Sequence, residues 1–454
     1  MDIQKKVLVI GAGISGINAG RLLLEKGEQI ILYDDRADTD VEKLLEQFED
    51  REKISVVIGS VNEKILSEIR LAIISPGVAA DSDIANAVRE YEIPIWSEIE
   101  LAYREGAGHL AAITGTNGKT TTTSLVGDIF KKYSDNSFTV GNIGIPYTEV
   151  ARQMNDDSYT VAEVSSFQLE TIDQFCPHVS AVLNVTPDHL NRHYTMENYA
   201  SIKLDICKNQ TEQDYLILNY DDPITRKMAQ DERVKAKVVF FSLSHDLEEG
   251  ICMKGDSIVL RENGTEHVVI DRKDLILLGG HNLENYMAGI GIAYYMGIPM
   301  DVIVETVKEF KGVAHRIEFV REVNGVTYYN DSKATNPDAA VKGIQAMNRR
   351  TVLIGGGLDK KVPFDDWIKA FDGKVKRLVL LGETAQIIAD TAEKYGFTEV
   401  SFVKDLKEAV DVCAGAAEPG DAVLLSPACA SWDMFKSYEV RGDLFKEYVN
   451  ELGV

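Results

Sequence analysis

The sequence predicts an α/β protein of three domains, residues 1–97, 98–312 and 313–454, on three observations. Short apolar runs recur along the chain, each closed by a Gly- or Ser-rich turn and followed by a helical stretch, which is how sheets with crossover helices read. Two of the turns carry glycine patterns of different kinds, GAGISG at 11–16 and GTNGKTT at 115–121. The texture also shifts near 98 and near 313, and 454 residues exceed what one ordinary core holds.

In the first domain, strand KVLVI, turn GAGISG, a helix to about Lys26 and strand QIILY lead to Asp34, Asp35 and Arg36. Gly11, Gly13 and Gly16, with an acid about 20 residues on, match the fingerprint in which a helix N-terminus holds a diphosphate and the acid meets a ribose. Alone, this says NAD or FAD, and a GxGxxG is a weak signal. Runs ISVVI (54–58), LAIIS (71–75), the turn SPG (75–77) and IPIW (93–96) complete a small Rossmann-like unit. Its turns should share the carboxyl edge of the sheet.

The central domain is P-loop ATPase-like. HLAAIT runs into GTNGKTT and then into a helix starting near Thr120, the layout of a short phosphate-binding loop. Backbone amides of such a turn point with the helix dipole at an anion. Lys119 is expected to meet the β/γ-phosphates and Thr120 to ligate Mg²⁺. Strands ending at 140, 163 and 185 bring Asn142, Glu163 and Asp188/His189 towards the same edge. Ser165 with Gln168 predicts a capping box, which would fix Glu163 at the sheet edge as a Mg²⁺-organising carboxylate. Lys203 lies on a predicted helix, where nothing in its local pattern marks it. Short alternating runs between 212 and 275, with a turn at Asn263-Gly264, predict antiparallel strands flanking the sheet. A helix then follows on which Asn282 and Asn285 share a face.

The third domain repeats the alternation with TVLIGGG (351–357), RLVLLG (377–382) and DAVLLSPACAS (421–431), again Rossmann-like but without a GxGxxG. A formal net charge of −24 argues against a nucleic-acid binder, whose footprint is a basic face. The five cysteines are widely spaced and without a CxxC pair, which suits a reducing cytoplasm and gives no zinc or disulfide framework. No secretory signal or membrane span is expected, and a monomer is the expected state.

GTNGKTT (115–121), GNIG (141–144), EVSSFQLE (163–170), NVTPDHLNRH (184–193), HNLEN (281–285), HR (315–316), NDSKATNPDA (330–339) and SPACASWDMF (426–435) together resemble the ATP-dependent Mur ligases of peptidoglycan synthesis. The likeness spans all three domains in order. It lacks the Asp-Asn-Pro-Arg motif of the relatives that add diaminopimelate or lysine, and points to the D-glutamate-adding branch. It implies that the first domain takes the UDP of UDP-N-acetylmuramoyl-L-alanine through Gly13, Ile14, Ser15, Gly16, Asp34, Asp35, Arg36 and Gly77, with Asn142 and His189 at the muramoyl-alanine end.

By the same resemblance, Gly115, Thr116, Asn117, Gly118, Lys119, Thr120, Thr121, Asn282, Asn285, Arg316 and Asp331 would contact ATP. Lys333, Thr335, Lys360, Ser426 and Phe435 would surround D-glutamate, with Lys361 competing for the place of Lys360. Lys203 would be carbamylated and, with Thr120, Glu163 and His189, would hold two Mg²⁺. Lys119, Glu163, His189 and Lys203 form the catalytic set. The implied reaction is ATP-driven amide formation through an acyl-phosphate, in which His189 or a metal-bound carboxylate would take the proton of the attacking amine. A folylpolyglutamate-type ligase shares the central chemistry but needs no diphosphate unit in front. An NAD-dependent oxidoreductase would leave Lys119 idle.

Overall fold

The computed structural model describes residues 5–277 and 279–453. Among them, β1 (Lys6–Ile10), β2 (Ile30–Asp34), β3 (Ile54–Ile58), β4 (Ile69–Ile74) and β5 (Ile95–Ser97) form a parallel sheet in the order β3-β2-β1-β4-β5. That doubly wound order reverses beside β1 and opens a crevice over the strand ends. Val7 to Ile10 and Ile30 to Tyr33 are all buried, as strands with both faces covered must be.

The second sheet contains β6 (His109–Thr114), β7 (Ser137–Gly141), β8 (Tyr159–Glu163), β9 (Val179–Val182), β10 (Tyr215–Asn219), β11 (Lys237–Ser242), β12 (Gly250–Lys254), β13 (Ser257–Glu262) and β14 (Thr265–Asp271). Its order is β14-β13-β12-β11-β10-β9-β6-β8-β7. Only β12, β13 and β14 pair antiparallel. Asn263 (φ 51°) and Gly264 (φ 72°) make the left-handed turn that a tight hairpin requires.

The third sheet has β15 (Glu318–Val323), β16 (Val326–Asn330), β17 (Thr351–Gly355), β18 (Val375–Leu380), β19 (Val400–Phe402) and β20 (Ala422–Leu425), ordered β15-β16-β20-β17-β18-β19. The edge strand β15 alone runs antiparallel there. The chain forms two compact units, Met1–Arg272 with Glu284–Val307, holding the first two sheets, and Lys273–Leu283 with Lys308–Val454, holding the third. No described helix is long and apolar enough to cross a membrane.

Two strands are shorter than their apolar runs. β9 stops at Val182, and the Asn184 carbonyl accepts from the Thr116 amide at 2.9 Å. β20 stops at Leu425, whose carbonyl accepts from the Asp331 amide at 2.7 Å. In both places the backbone leaves the ladder to fix a loop, and its polar groups stay paired.

Helix Glu98–Glu105 joins the first two sheets. Its fully buried Glu100 accepts from the amides of Asp173 (2.9 Å), Gln174 (2.9 Å) and Phe175 (2.8 Å) and from Arg104 Nε (2.6 Å), so the buried charge is well partnered. Glu98 is less well served. Its Oε1 accepts from Gln168 Nε2 at 2.7 Å, its Oε2 is buried without a partner, and burial pushes its pKa from 4.5 up to about 7.

An acid whose folded pKa is raised binds more protons folded than unfolded. Its contribution is therefore intact below 4.5 and is lost as the pH climbs to about 7. We expect Glu98→Gln to flatten the fall in urea midpoint over that interval, removing at most about 3 kcal/mol of pH dependence. An unchanged slope in the variant would contradict this.

Candidate active site

The phosphate loop leaves β6 at Thr114 and enters the helix Lys119–Tyr133 through Gly118. Gly115 (φ 151°) and Gly118 (φ 85°) occupy left-handed conformations that favour glycine. A Cβ on Gly118 would lie 2.3 Å from Asn285 Oδ1, so glycine is also needed to let that amide pack behind the loop. Asn285 Oδ1 accepts from Thr122 Oγ1 at 3.3 Å. Asn184 bridges the loop by accepting from the Asn117 amide (2.8 Å) and donating to its carbonyl (3.1 Å). No side chain caps the helix, and its first turn, with Thr120 half-buried and Thr121 buried, carries the amides of an anion site.

Two lysines from distant parts of the chain converge on one atom of this loop. Lys119 Nζ donates to the carbonyls of Gly115 (2.9 Å) and Thr116 (3.0 Å), and Lys203 Nζ donates to the same Gly115 oxygen at 2.9 Å. Lys203 is buried with its Nζ 4.5 Å above the Tyr199 ring. Burial and the nearby Lys119 charge push its pKa down to about 7. Tyr199 pairs with Thr116 through the two hydroxyls at 3.4 Å, a link from helix to loop that no sequence pattern announced.

Glu163 closes β8 and is followed by the expected capping box, in which Ser165 and Gln168 satisfy each other's backbone amides. Its carboxylate is buried, Oε1 accepts from Asn142 Nδ2 at 2.9 Å, and Oε2 has no hydrogen-bond partner. His189 is half-exposed in a left-handed conformation (φ 52°), its Nε2 is 3.5 Å from Asp188 Oδ2, and its ring is 4.9 Å from that of Phe167.

No cluster of three or more His, Cys, Asp or Glu among the described residues forms a metal cage. The donor set still fits Mg²⁺, which keeps most of its waters and binds through one or two carboxylates plus substrate phosphates. Glu163, with one buried oxygen unpartnered beside the glycine loop, could serve as such a carboxylate.

The glycine turn of the first domain borders a cavity of about 930 Å³ lined by Gly13, Ile14, Ser15, Asp34, Asp35, Arg36 and Gly77, among others. Gly16 is the exception. A Cβ there would lie 1.8 Å from the Gly11 carbonyl oxygen, so Gly16 lets the helix pack on the turn and does not face the cavity. Asp34 is committed internally. Its oxygens accept from the Ala12 amide (2.9 Å) and from Arg36 Nε (2.8 Å) and Nη2 (3.0 Å), and the Arg36 fork holds its pKa at about 2. The exposed Arg36 guanidinium is thereby held at the cavity wall.

In the second unit, Asp331 is buried and accepts from Ser426 Oγ at 2.7 Å, and burial pushes its pKa up to about 7. A Cβ on Gly343 would lie 2.7 Å from Asp331 Oδ2, which explains that glycine. Arg316 is exposed and Lys333 half-buried, Thr335 is half-buried, and Lys360 is exposed. Ser426 has no exposed surface and directs its hydroxyl at Asp331, while Phe435 packs against the hydrophobic core. The rings beside the two lysines are others: Lys333 Nζ lies 6.0 Å from the Tyr438 ring centroid, and Lys360 Nζ 5.7 Å from that of Trp432. Lys361 sits in a left-handed turn (φ 57°) with its amide on Asp359.

Sequence reasoning also missed Arg441. Buried in the last helix, it donates to Ser332 Oγ (2.9 Å), to the Ser332 carbonyl (2.8 Å) and to the Cys429 carbonyl (3.2 Å), so one guanidinium ties two loops together. The signal was present: Arg441, Phe445 and Val449 share the inner stripe at four-residue spacing.

Three family matches run along the chain: a MurD-like N-terminal domain of the Mur ligases over residues 5–97, the Mur ligase middle domain over 113–293, and the Mur ligase glutamate ligase domain over 315–429. The chain belongs to the Mur ligase family. Within it, proteins named UDP-N-acetylmuramoylalanine–D-glutamate ligase are similar over the whole length: 51% identity in Lachnoclostridium phytofermentans (99% of both chains), 51% in Lachnospira eligens (100% of both) and 47% in a Thermoanaerobacter species (99% and 98%). Among solved structures, UDP-N-acetylmuramate-alanine ligase MurC from Thermotoga maritima shares the fold at a TM-score of 0.58 and 20% identity, covering 98% of this chain and 99% of that one. MurF from Acinetobacter baumannii does so at 0.56 and 16%, covering 93% and 90%.

Proposed function

We infer that the protein is an ATP-dependent ligase that joins D-glutamate to UDP-N-acetylmuramoyl-L-alanine during peptidoglycan precursor synthesis. The observation that carries this reading is the convergence of Lys119, Lys203 and the glycine loop in a chain similar throughout to ligases of that name. A carboxylate oxygen of the acid attacks the γ-phosphorus as ADP leaves. The amine nitrogen of D-glutamate attacks the acyl carbon, and the tetrahedral intermediate expels phosphate. The barrier is electrostatic, because two anions must meet in line.

Lys119 and the loop amides are the proposed cradle of the β- and γ-phosphates. Asn282, Asn285, Arg316 and Asp331 are proposed as further nucleotide contacts, with Ser426 holding Asp331. Lys333, Thr335, Lys360, Ser426 and Phe435 are proposed for D-glutamate, with the Trp432 and Tyr438 rings beside the lysines. Mg²⁺, when bound, would offset phosphate charge, held by Thr120, Glu163, His189 and a carbamylated Lys203 in two sites. Asn142, placed by Glu163, is proposed for the muramoyl-alanine end. The domain limits 1–97, 98–312 and 313–454 remain the proposed division, with the protein a cytoplasmic monomer.

Phosphate release from ATP tests the reading. Release is expected with UDP-N-acetylmuramoyl-L-alanine and D-glutamate together and to fall to background when either is omitted. L-glutamate should be at least about tenfold slower. Release with a folate and L-glutamate, or release indifferent to the acid, would overturn it.

A further inference from the structure

Arg192 is a side chain the proposed reaction does not use, yet its guanidinium bonds to elements of both of the first two domains. It lies in the NRH segment three residues after His189, with its side chain 15% exposed. Its Nε and Nη2 donate to the two oxygens of Glu170, at 3.2 and 2.6 Å. Its Nη1 donates to the Pro76 carbonyl at 2.8 Å, and its Nη2 also donates to the Val78 carbonyl at 3.1 Å. The guanidinium carbon lies 4.0 Å from the Phe167 ring centroid, and that ring in turn is 4.9 Å from the His189 ring.

The two carbonyls flank Gly77, and Pro76, Gly77 and Val78 all line the cavity at the glycine turn. A trans peptide points its carbonyl and the following amide in opposite directions. Holding the Pro76 oxygen therefore turns the Gly77 N–H away from the guanidinium, and holding the Val78 oxygen fixes the Val78–Ala79 peptide in the same way. At its other end the fork grips Glu170, just past the helix Ser166–Leu169 that follows Glu163. One planar group thus spans the wall of the diphosphate cavity and the elements that carry Glu163 and His189. Lysine has the charge but lacks the fork and the flat face.

We propose that Arg192 is a positioning residue for the sugar-nucleotide acid, setting the Pro76–Val78 wall of its cavity against the edge where the acid reacts. This rests on the function proposed above for the substrate, and not on any contact between Arg192 and a reacting atom.

The test uses the full-length protein with Arg192→Lys, Glu170→Gln and the double variant. In Arg192→Lys, KM for UDP-N-acetylmuramoyl-L-alanine should rise at least about tenfold, while KM for ATP and for D-glutamate stays within about twofold. UDP alone, followed by calorimetry, should bind Arg192→Lys at least about fivefold more weakly than wild type. Glu170→Gln should show the same selective rise in smaller measure, and the double variant should be no worse than Arg192→Lys, as members of one network behave.

Wild-type UDP affinity together with a wild-type KM for the acid in Arg192→Lys would overturn the inference. So would equal rises in all three KM values alongside a lowered melting temperature, the mark of a merely structural part. Should Arg192→Lys fail to fold, Glu170→Gln with UDP decides by the same criteria. The UDP measurement needs no turnover, so a wild type that binds UDP but fails to release phosphate would count against the reaction and leave this coupling standing.

Discussion

Replacing Lys119 with alanine is expected to lower phosphate release at least about 100-fold, which is about 2.7 kcal/mol of transition-state stabilisation. The loop amides supply dipoles, whereas Lys119 brings the one full positive charge within the GTNGKTT segment, and charge accumulates on the transferred phosphoryl group as the acid approaches. The fold should survive. Alanine is a good first residue for a helix, and the shape of the turn is set by Gly115, Gly118 and Asn184. Steady-state release with saturating acid and D-glutamate, beside far-ultraviolet circular dichroism, checks both halves. Turnover within about threefold of wild type would remove Lys119 from the phosphate site.

What the sequence showed and what it hid differ by the range of the interaction involved. The glycine loop, the capping box after Glu163 and the Asn263-Gly264 hairpin were legible because each is set by neighbours a few residues away. Gly16 was legible as a glycine, but its reason, a carbonyl of Gly11 where a Cβ would stand, comes from packing. The motif around Ser426 was legible, but its hydrogen bond to Asp331, 95 residues away in sequence, comes from the fold. Arg441 and Arg192 reach 109 and 116 residues to their partners, and although four-residue spacing marks the stripe on which Arg441 lies, no local periodicity identifies those partners. Arg192 is hidden for a further reason, since a short polar segment such as TPDHLNRH reads as a surface loop until a second domain is packed against it.

Lys203 is the extreme case of such concealment, and it yields the second large effect. An ordinary lysine, with a pKa of about 10.4, is neutral for roughly one molecule in 2,500 at pH 7. Lys203, pushed down to about 7, is neutral for about half. Only the neutral amine can attack carbon dioxide, so the burial of Lys203 supports the carbamylation proposed for it. The carbamate would also remove a conflict, because two lysine amines would no longer share the Gly115 carbonyl and an anion would stand beside Lys119 instead.

Lys203→Ala and Lys203→Arg are therefore expected to lose activity alike, by at least about 100-fold, since arginine keeps the charge but cannot carry the carbamate. Labelled bicarbonate should give a carbamate carbon resonance in the wild type that both variants lack. Its intensity should fall as the pH drops below about 7, because the folded amine takes up its proton there. An active Lys203→Arg enzyme, or a wild type without that resonance at neutral pH, would show that the buried ammonium itself is the working group.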